Sequence, residues 1–193
     1  MSRSCAECSG PMPMTARRDA LYCDGKCRVR AHRRRARENT IPEQLRAADR
    51  WMRFRLVPRA GKMTKVPTQV NGRNAKSTDP ATWSSYAEAS ASTVGAGLGF
   101  ALGDGFACLD LDQCVAPDGT LSDLAQRVRD LNPDAWVELS VSGTGLHVWG
   151  LMDEQPGRVL PGLEVYSQGR FIALGTTYRR GGLHPLRVPA LVS

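Results

Sequence analysis

The chain has 193 residues, a formal charge of +7 and a hydrophobic fraction of 41%, which suits one ordinary globular domain plus a small module and excludes two large domains. No run of about 18 apolar residues offers a membrane span, and the opening MSRSCAECSG has no apolar stretch of the secretory kind, so the expectation is a cytoplasmic protein without membrane contact. The charge is uneven: residues 1–40 hold ten Lys/Arg against four Asp/Glu, a balance of +6, while residues 41–193 hold sixteen against fifteen, a balance of +1.

The first module opens with Cys5-x2-Cys8, fourteen intervening residues and Cys23-x3-Cys27. Two cysteine knuckles supply four thiolates within tetrahedral reach, the pattern of a structural Zn²⁺ site, and so small a module needs the metal for much of its folding free energy. A disulfide pair is the alternative, but nothing points to an oxidising compartment. From Arg28 to Glu38 the chain is rich in helix formers and has no Gly or Pro, which predicts a basic helix leaving the zinc site. Its Arg33-Arg34-Arg35 run and Arg37 suit a polyphosphate partner, or serve as a solubilising arm; His32 reads as a solvent-facing residue of that helix.

Asn39 to Glu43 reads as a boundary, with Pro42 opening a short helix to about Asp49. Trp51 to Leu56 alternates apolar and basic residues like a strand, and Arg59 to Pro67 follows as a basic hairpin or loop. Ser77 to Trp83 predicts a capped helix start running to about Ala89. The glycine-rich Gly95–Gly103 lacks the Gly-Lys-Ser/Thr of a phosphate loop and reads as a strand, paired through Gly103-Asp104-Gly105 with the next one.

That next strand, Gly105-Phe106-Ala107-Cys108-Leu109-Asp110-Leu111-Asp112, is the most informative stretch. Strand side chains alternate faces, so Asp110 and Asp112 share one side and Leu109 and Leu111 the other. Paired carboxylates repel unless a cation neutralises them, and hard oxygen donors suit Mg²⁺ or Mn²⁺; a solvated strand end is the plainer reading. Cys108 and Cys114 read as packing residues. A helix is predicted at Leu121–Leu131, then strands at Trp136–Val141, Leu146–Trp149, Leu163–Tyr166 and Arg170–Leu174, the last two forming a hairpin. Between the first two lies Ser140-Val141-Ser142-Gly143-Thr144-Gly145, whose N–H groups can cradle an anion beside His147. His147 reads as a phosphate contact or as a structural histidine. Glu164, flanked by apolar residues, is placed to complete a three-carboxylate metal site. Residues 181–193 are expected to form an extended tail.

In this order, Asp-x-Asp on a strand, Ser-Gly-x-Gly-x-His, Gly-x-Glu-x-Tyr and Gly-Arg-Phe, the chain resembles the archaeo-eukaryotic primase superfamily, in particular the bifunctional primase/polymerase domains of phages and plasmids. The resemblance spans about residues 41–180 and includes Ile41 to Leu45, Gly61 to Pro67 and Thr78 to Trp83. It implies an α+β fold with an RRM-like antiparallel sheet, a smaller α/β unit before it, and here the added N-terminal zinc module. It also implies roles. Asp110, Asp112 and Glu164 ligate Mg²⁺ or Mn²⁺; His147, Ser142 and Gly143 grip the phosphates of an NTP or dNTP; Lys62, Lys65 and Arg170 are secondary contacts to nucleotide or template. The expected organisation is a zinc module at 1–40, a catalytic domain at 41–180 and a tail at 181–193. The expected activity is DNA-dependent nucleotidyl transfer on single-stranded template, in which carboxylates bridging two metal ions activate the primer hydroxyl and stabilise the leaving group. Relatives often continue into a helicase, so a helicase acting in trans is an expected partner, and a phage- or plasmid-encoded origin in a bacterial host is implied.

Two other classes compete. One is a zinc-dependent nucleic-acid-binding replication protein with an inactive primase-like domain. The other is a metal-dependent nuclease; rolling-circle nickases share an RRM-like palm but place two histidines around one apolar residue, and here the position two after His147 is Trp149.

Overall fold

The computed structural model describes residues 3–17, 20–38, 40–59 and 61–190, without side chains at 32–39. Contacts divide the chain into two units, Met1–Thr40 and Ile41–Ser193. Among the described residues no helix is long and apolar enough to cross a membrane.

The first unit is built around its cysteines. The peptide N–H of Ala6 donates to Leu21 O at 2.9 Å, which brings the two cysteine segments side by side. Helix α1 (Gly25–Glu38) starts where Asp24 Oδ1 accepts from Cys27 N at 2.6 Å, satisfying one of the free donors of a helix start. Cys5, Cys27 and Ala31 form what is buried here. The side chains expected of His32, the Arg33–Arg35 run and Arg37 lie outside the described residues.

The second unit is α+β with two antiparallel sheets. Helix α2 (Glu43–Ala47) leads into β1 (Trp51–Arg59) and β2 (Lys62–Thr68), which form a hairpin. A 3-10 turn (Pro80–Thr82) and α3 (Tyr86–Ala91) precede β3 (Gly97–Ala101), and β4 (Phe106–Leu111) is followed by α4 (Asp123–Leu131). Then come β5 (Trp136–Leu139), β6 (Leu146–Leu151), β7 (Arg158–Leu160), β8 (Leu163–Tyr166), β9 (Phe171–Ala173) and β10 (Thr176–Arg179). One sheet has the order β2-β1-β3-β9 and the other β10-β5-β6-β4-β8-β7. Within the larger sheet, β5-β6-β4-β8 reproduces the split β-α-β order of an RRM-like sheet, with α4 as the crossover. The second crossover is not a helix: the chain reaches β8 through β7.

Strand parity separates two cores. Leu109, Leu111, Val137, Leu146, Val148 and Val165 pack on one face with Leu121, Ala125 and Val128 at the helix side. Cys108, Trp136, Trp149 and Tyr166 point the other way, toward Phe100 and Ile172 of the smaller sheet and Trp51. Edge-on aromatic pairs, Trp51 with Phe100 at 5.1 Å and Phe100 with Trp149 at 6.0 Å, stitch this second core. The face that carries Asp110 is therefore the face covered by the second sheet.

Four local expectations are corrected. The hairpin expected through Gly103–Gly105 stops at its turn: Gly103 and Phe106 bridge each other, but β3 and β4 pair no further, and positive φ at Gly103, Asp104 and Gly105 turns the chain from one sheet into the other. The reason is that β3 is occupied on both edges, by β1 and β9, and its glycines admit close neighbours, with the Phe171 ring lying over Gly99. Likewise Phe171–Ala173 pairs with β3 rather than with β8. The helix expected over 77–89 is two pieces, because Ser84 bridges to Trp51 and Ser85 starts a new helix with a capping box to Glu88. Finally, β7 and β10 have no counterpart in the sequence reading. Residues 182–190 are extended as expected, yet docked: Trp136 N donates to Gly182 O at 3.0 Å, Leu151 N to His184 O at 2.8 Å, and Leu183 is buried.

Candidate active site and metal centre

Antiparallel register aligns four polar residues in one row across the large sheet. Asp110 on β4 faces His147 on β6 and Glu164 on β8, and His147 in turn faces Glu138 on β5. All four share the face of Cys108 and Trp149 because each lies an even number of residues from them or opposite a residue that does. The sequence brings Asp110, His147 and Glu164 together as expected. Glu138 escaped notice, although its phase with Trp136 on the same strand puts it on the face of that buried ring.

Distances show how the row is held. His147 is 4% exposed; its Nε2 lies 3.6 Å from Asp110 Oδ1 and its Nδ1 lies 3.5 Å from Glu138 Oε2. Trp149 Nε1 donates to Glu138 Oε2 at 2.8 Å. At the other end, Tyr166 Oη donates to Glu164 Oε2 at 2.6 Å, and the Arg170 guanidinium stands 3.7 Å from the same oxygen and 4.6 Å from the Tyr166 ring centre. Burial, opposed by His147, pushes the Asp110 carboxyl up, with Asp112 and Glu164 adding to the rise and Lys65 lowering it. Burial and the bond to Glu164 push the Tyr166 phenol up to about 12.

Asp112 lies just past the end of β4 and is exposed. The Ser140–Gly145 turn abuts it, since a Cβ on Gly145 would stand 3.5 Å from Asp112 Cα and 2.6 Å from Leu111 O. This turn is closed on itself. Gly143 N donates to Ser140 O at 2.9 Å, Gly145 N bonds Ser140 Oγ at 3.1 Å, and the hydroxyls of Ser140, Ser142 and Thr144 form a chain at 2.9 and 3.0 Å. The exposed Ser142 and Thr144 hydroxyls are thus what the turn offers an anion, more than the N–H groups of Gly143 and Gly145.

Between the sheets an open groove of ≈ 420 Å³ is lined by Thr64, Lys65, Ser77, Asp110, His147 and Arg170, with β9 behind. Lys65 and Arg170 reach it as expected. Lys62 is not part of its lining, being at the turn end of the hairpin opposite Arg59.

The donors fit a hard divalent cation chemically: three carboxylates and no thiol, with Asp110 burdened by two like charges that a cation would relieve. They are not gathered as closely as the cysteines, and Glu164 already shares one oxygen with Tyr166 and Arg170. In contrast, the Cys5, Cys8, Cys23 and Cys27 sulfurs all lie within 4.8 Å of one another, with Cys8–Cys23 at 3.7 Å and Cys23–Cys27 at 3.5 Å. A tetrahedral ion with bonds of about 2.3 Å to sulfur sets ligand separations of roughly 3.8 Å, so the spacing of the quartet fits such an ion. Cys108 and Cys114 are buried in the apolar clusters of the second unit.

A family model described as bifunctional DNA primase/polymerase, N-terminal, matches residues 44–182. That span contains the whole polar row and leaves the cysteine unit outside. A DNA primase-polymerase of Nitratiruptor phage NrS-1 is 35% identical over 127 residues, a match to 58% of this chain and 17% of the phage protein. The chain therefore covers a minor part of that relative's length.

Proposed function

The chain belongs to the bifunctional DNA primase/polymerase N-terminal family, and on that premise we propose that residues 41–180 catalyse nucleotidyl transfer from an NTP or dNTP on a single-stranded DNA template. The observation that carries this reading is the register row His147–Asp110–Glu164, with Asp112 just past the end of β4 and a groove at Asp110 and His147 that Lys65 and Arg170 also line. Asp110, Asp112 and Glu164 would hold Mg²⁺ or Mn²⁺, which when bound lowers the barrier to attack by the primer hydroxyl and neutralises charge on the leaving pyrophosphate. His147, Lys65 and Arg170 supply positive charge or donors to the triphosphate, and the Ser142 hydroxyl caps it near Asp112, acting by positioning and charge stabilisation. Tyr166 and Arg170 fix the orientation of the Glu164 carboxylate.

The Cys5, Cys8, Cys23 and Cys27 site is assigned to structural Zn²⁺, and the basic 1–40 unit to contact with the template backbone. A helicase acting in trans is the proposed partner, and the phage relative supports a phage- or plasmid-encoded protein working in a bacterial cytoplasm. Primer synthesis or extension on single-stranded DNA with Mg²⁺ or Mn²⁺ tests the proposal. Asp110→Ala combined with Asp112→Ala is expected to reduce it by at least a thousandfold; undiminished synthesis sinks the assignment.

The engagement of Glu164 by Tyr166 and Arg170 favours a second reading, a nucleic-acid-binding protein whose primase-like unit is inactive. That reading predicts tight, salt-sensitive binding of single-stranded DNA by a protein that binds no nucleotide with Mn²⁺.

A further inference from the structure

Glu138 is a carboxylate with 1% of its surface exposed, in the middle of β5. A buried carboxylate is costly unless it is hydrogen-bonded or paired. One hydrogen bond reaches it, from Trp149 Nε1 at 2.8 Å. The same oxygen, Oε2, lies 3.5 Å from His147 Nδ1, and that ring nitrogen is buried without a hydrogen-bond partner. Two buried groups that each need the other therefore stand a fraction of an ångström outside bonding distance, joined by the directly opposed register of β5 and β6.

Their chemistry fixes the polarity of the contact. A carboxylate only accepts, so Nδ1 must carry the proton, and the ring then keeps Nε2 on the groove side, 3.6 Å from Asp110. Carboxylates that hold one imidazole nitrogen so that the other can work are a general device for orienting histidines. Trp149 completes the support, since its fully buried indole donates to the same carboxylate oxygen that faces Nδ1.

We infer that Glu138 is the positioning residue of the site: it holds the Nδ1–H of His147, and so aims Nε2 into the groove where a nucleotide triphosphate is gripped. This rests on the proposed nucleotide-binding role of His147. Trp149 Nε1 and His147 Nδ1 meet the same oxygen, so Glu138→Gln keeps an acceptor for both, whereas Glu138→Leu fills a similar volume and offers neither nitrogen an acceptor.

The test combines kinetics and ¹⁵N NMR on the full chain. Glu138→Leu is expected to raise KM for the nucleotide at least tenfold with kcat within threefold, and Glu138→Gln to keep KM within threefold of the native value. Combined with His147→Ala, Glu138→Leu is expected to add nothing to the effect of His147→Ala alone. An unchanged KM, or effects of the two substitutions that multiply, overturns the inference. The ring spectrum gives an answer that needs no activity. With the His147 signals assigned by their loss in His147→Ala, Nδ1 is expected to read as proton-bearing in the native chain and in Glu138→Gln, and to lose that preference in Glu138→Leu. A proton-free Nδ1 in the native protein overturns the inference even if Glu138→Leu does not fold. Should the native chain bind no nucleotide, the functional reading fails by itself, while the spectrum still decides what Glu138 does.

Discussion

Asp110 carries the largest conflict in the site, being mostly buried beside two further acids. Its carboxyl is raised, so the stability linked to it is complete below the unfolded carboxylate range and is lost as pH rises through the folded value. At neutral pH without divalent cation, Asp110→Asn is accordingly expected to raise the melting temperature by a few degrees while abolishing metal-dependent synthesis, measured by calorimetry and primer extension on the same preparations. Glu164 has the opposite problem, an oxygen already engaged by a phenol and a guanidinium. Tyr166→Phe releases that oxygen at a stability cost of about 1 kcal/mol, and is expected to tighten Mn²⁺ binding several-fold by titration calorimetry; unchanged binding would exclude Glu164 from the metal shell. Asp110, His147 and Glu164 were legible in sequence because polar residues in short apolar strands demand a reason. Glu138 was not, because Trp-Val-Glu-Leu also reads as an ordinary strand with its glutamate turned to water.

The elements most exposed to substitution are the turns that set register. Gly145 joins β5 to β6 where a Cβ would meet Leu111 O at 2.6 Å and Ser140 Oγ at 3.1 Å. Gly145→Ala must push the turn off the end of β4, so a loss of about 2 kcal/mol is expected in denaturant unfolding, together with weaker nucleotide binding. Ser85→Ala removes the capping box of α3 and is expected to cost about 1 kcal/mol, with no change in nucleotide affinity. Most strands could be found from their alternation, as could α4 from its apolar spacing and its Ser122 cap. The partners of β3 could not. Its glycines give no face pattern, so sequence proximity suggested β4, whereas the occupied neighbours are β1 and the distant β9.

For the molecule as a whole, the two units have different sources of stability. Among the described residues the cysteine unit buries Cys5, Cys27 and Ala31, whereas Ile41–Ser193 buries three tryptophans in a continuous core. A strong zinc chelator is expected to erase amide protection across residues 20–38 and leave that of β4, β5 and β6 intact, as read by hydrogen exchange. The family itself was determined by the sequence alone, since it rests on which residue types occur in which order, and so was the gathering of the four cysteines, whose spacing by itself limits how they can meet. What only the tertiary structure decided is which strands lie side by side. Register turned four residues spread between positions 110 and 164 into one row, and gave His147 a buried carboxylate behind it. Pairing between distant strands depends on which faces and edges the rest of the fold leaves open, and no local pattern of residues carries that information.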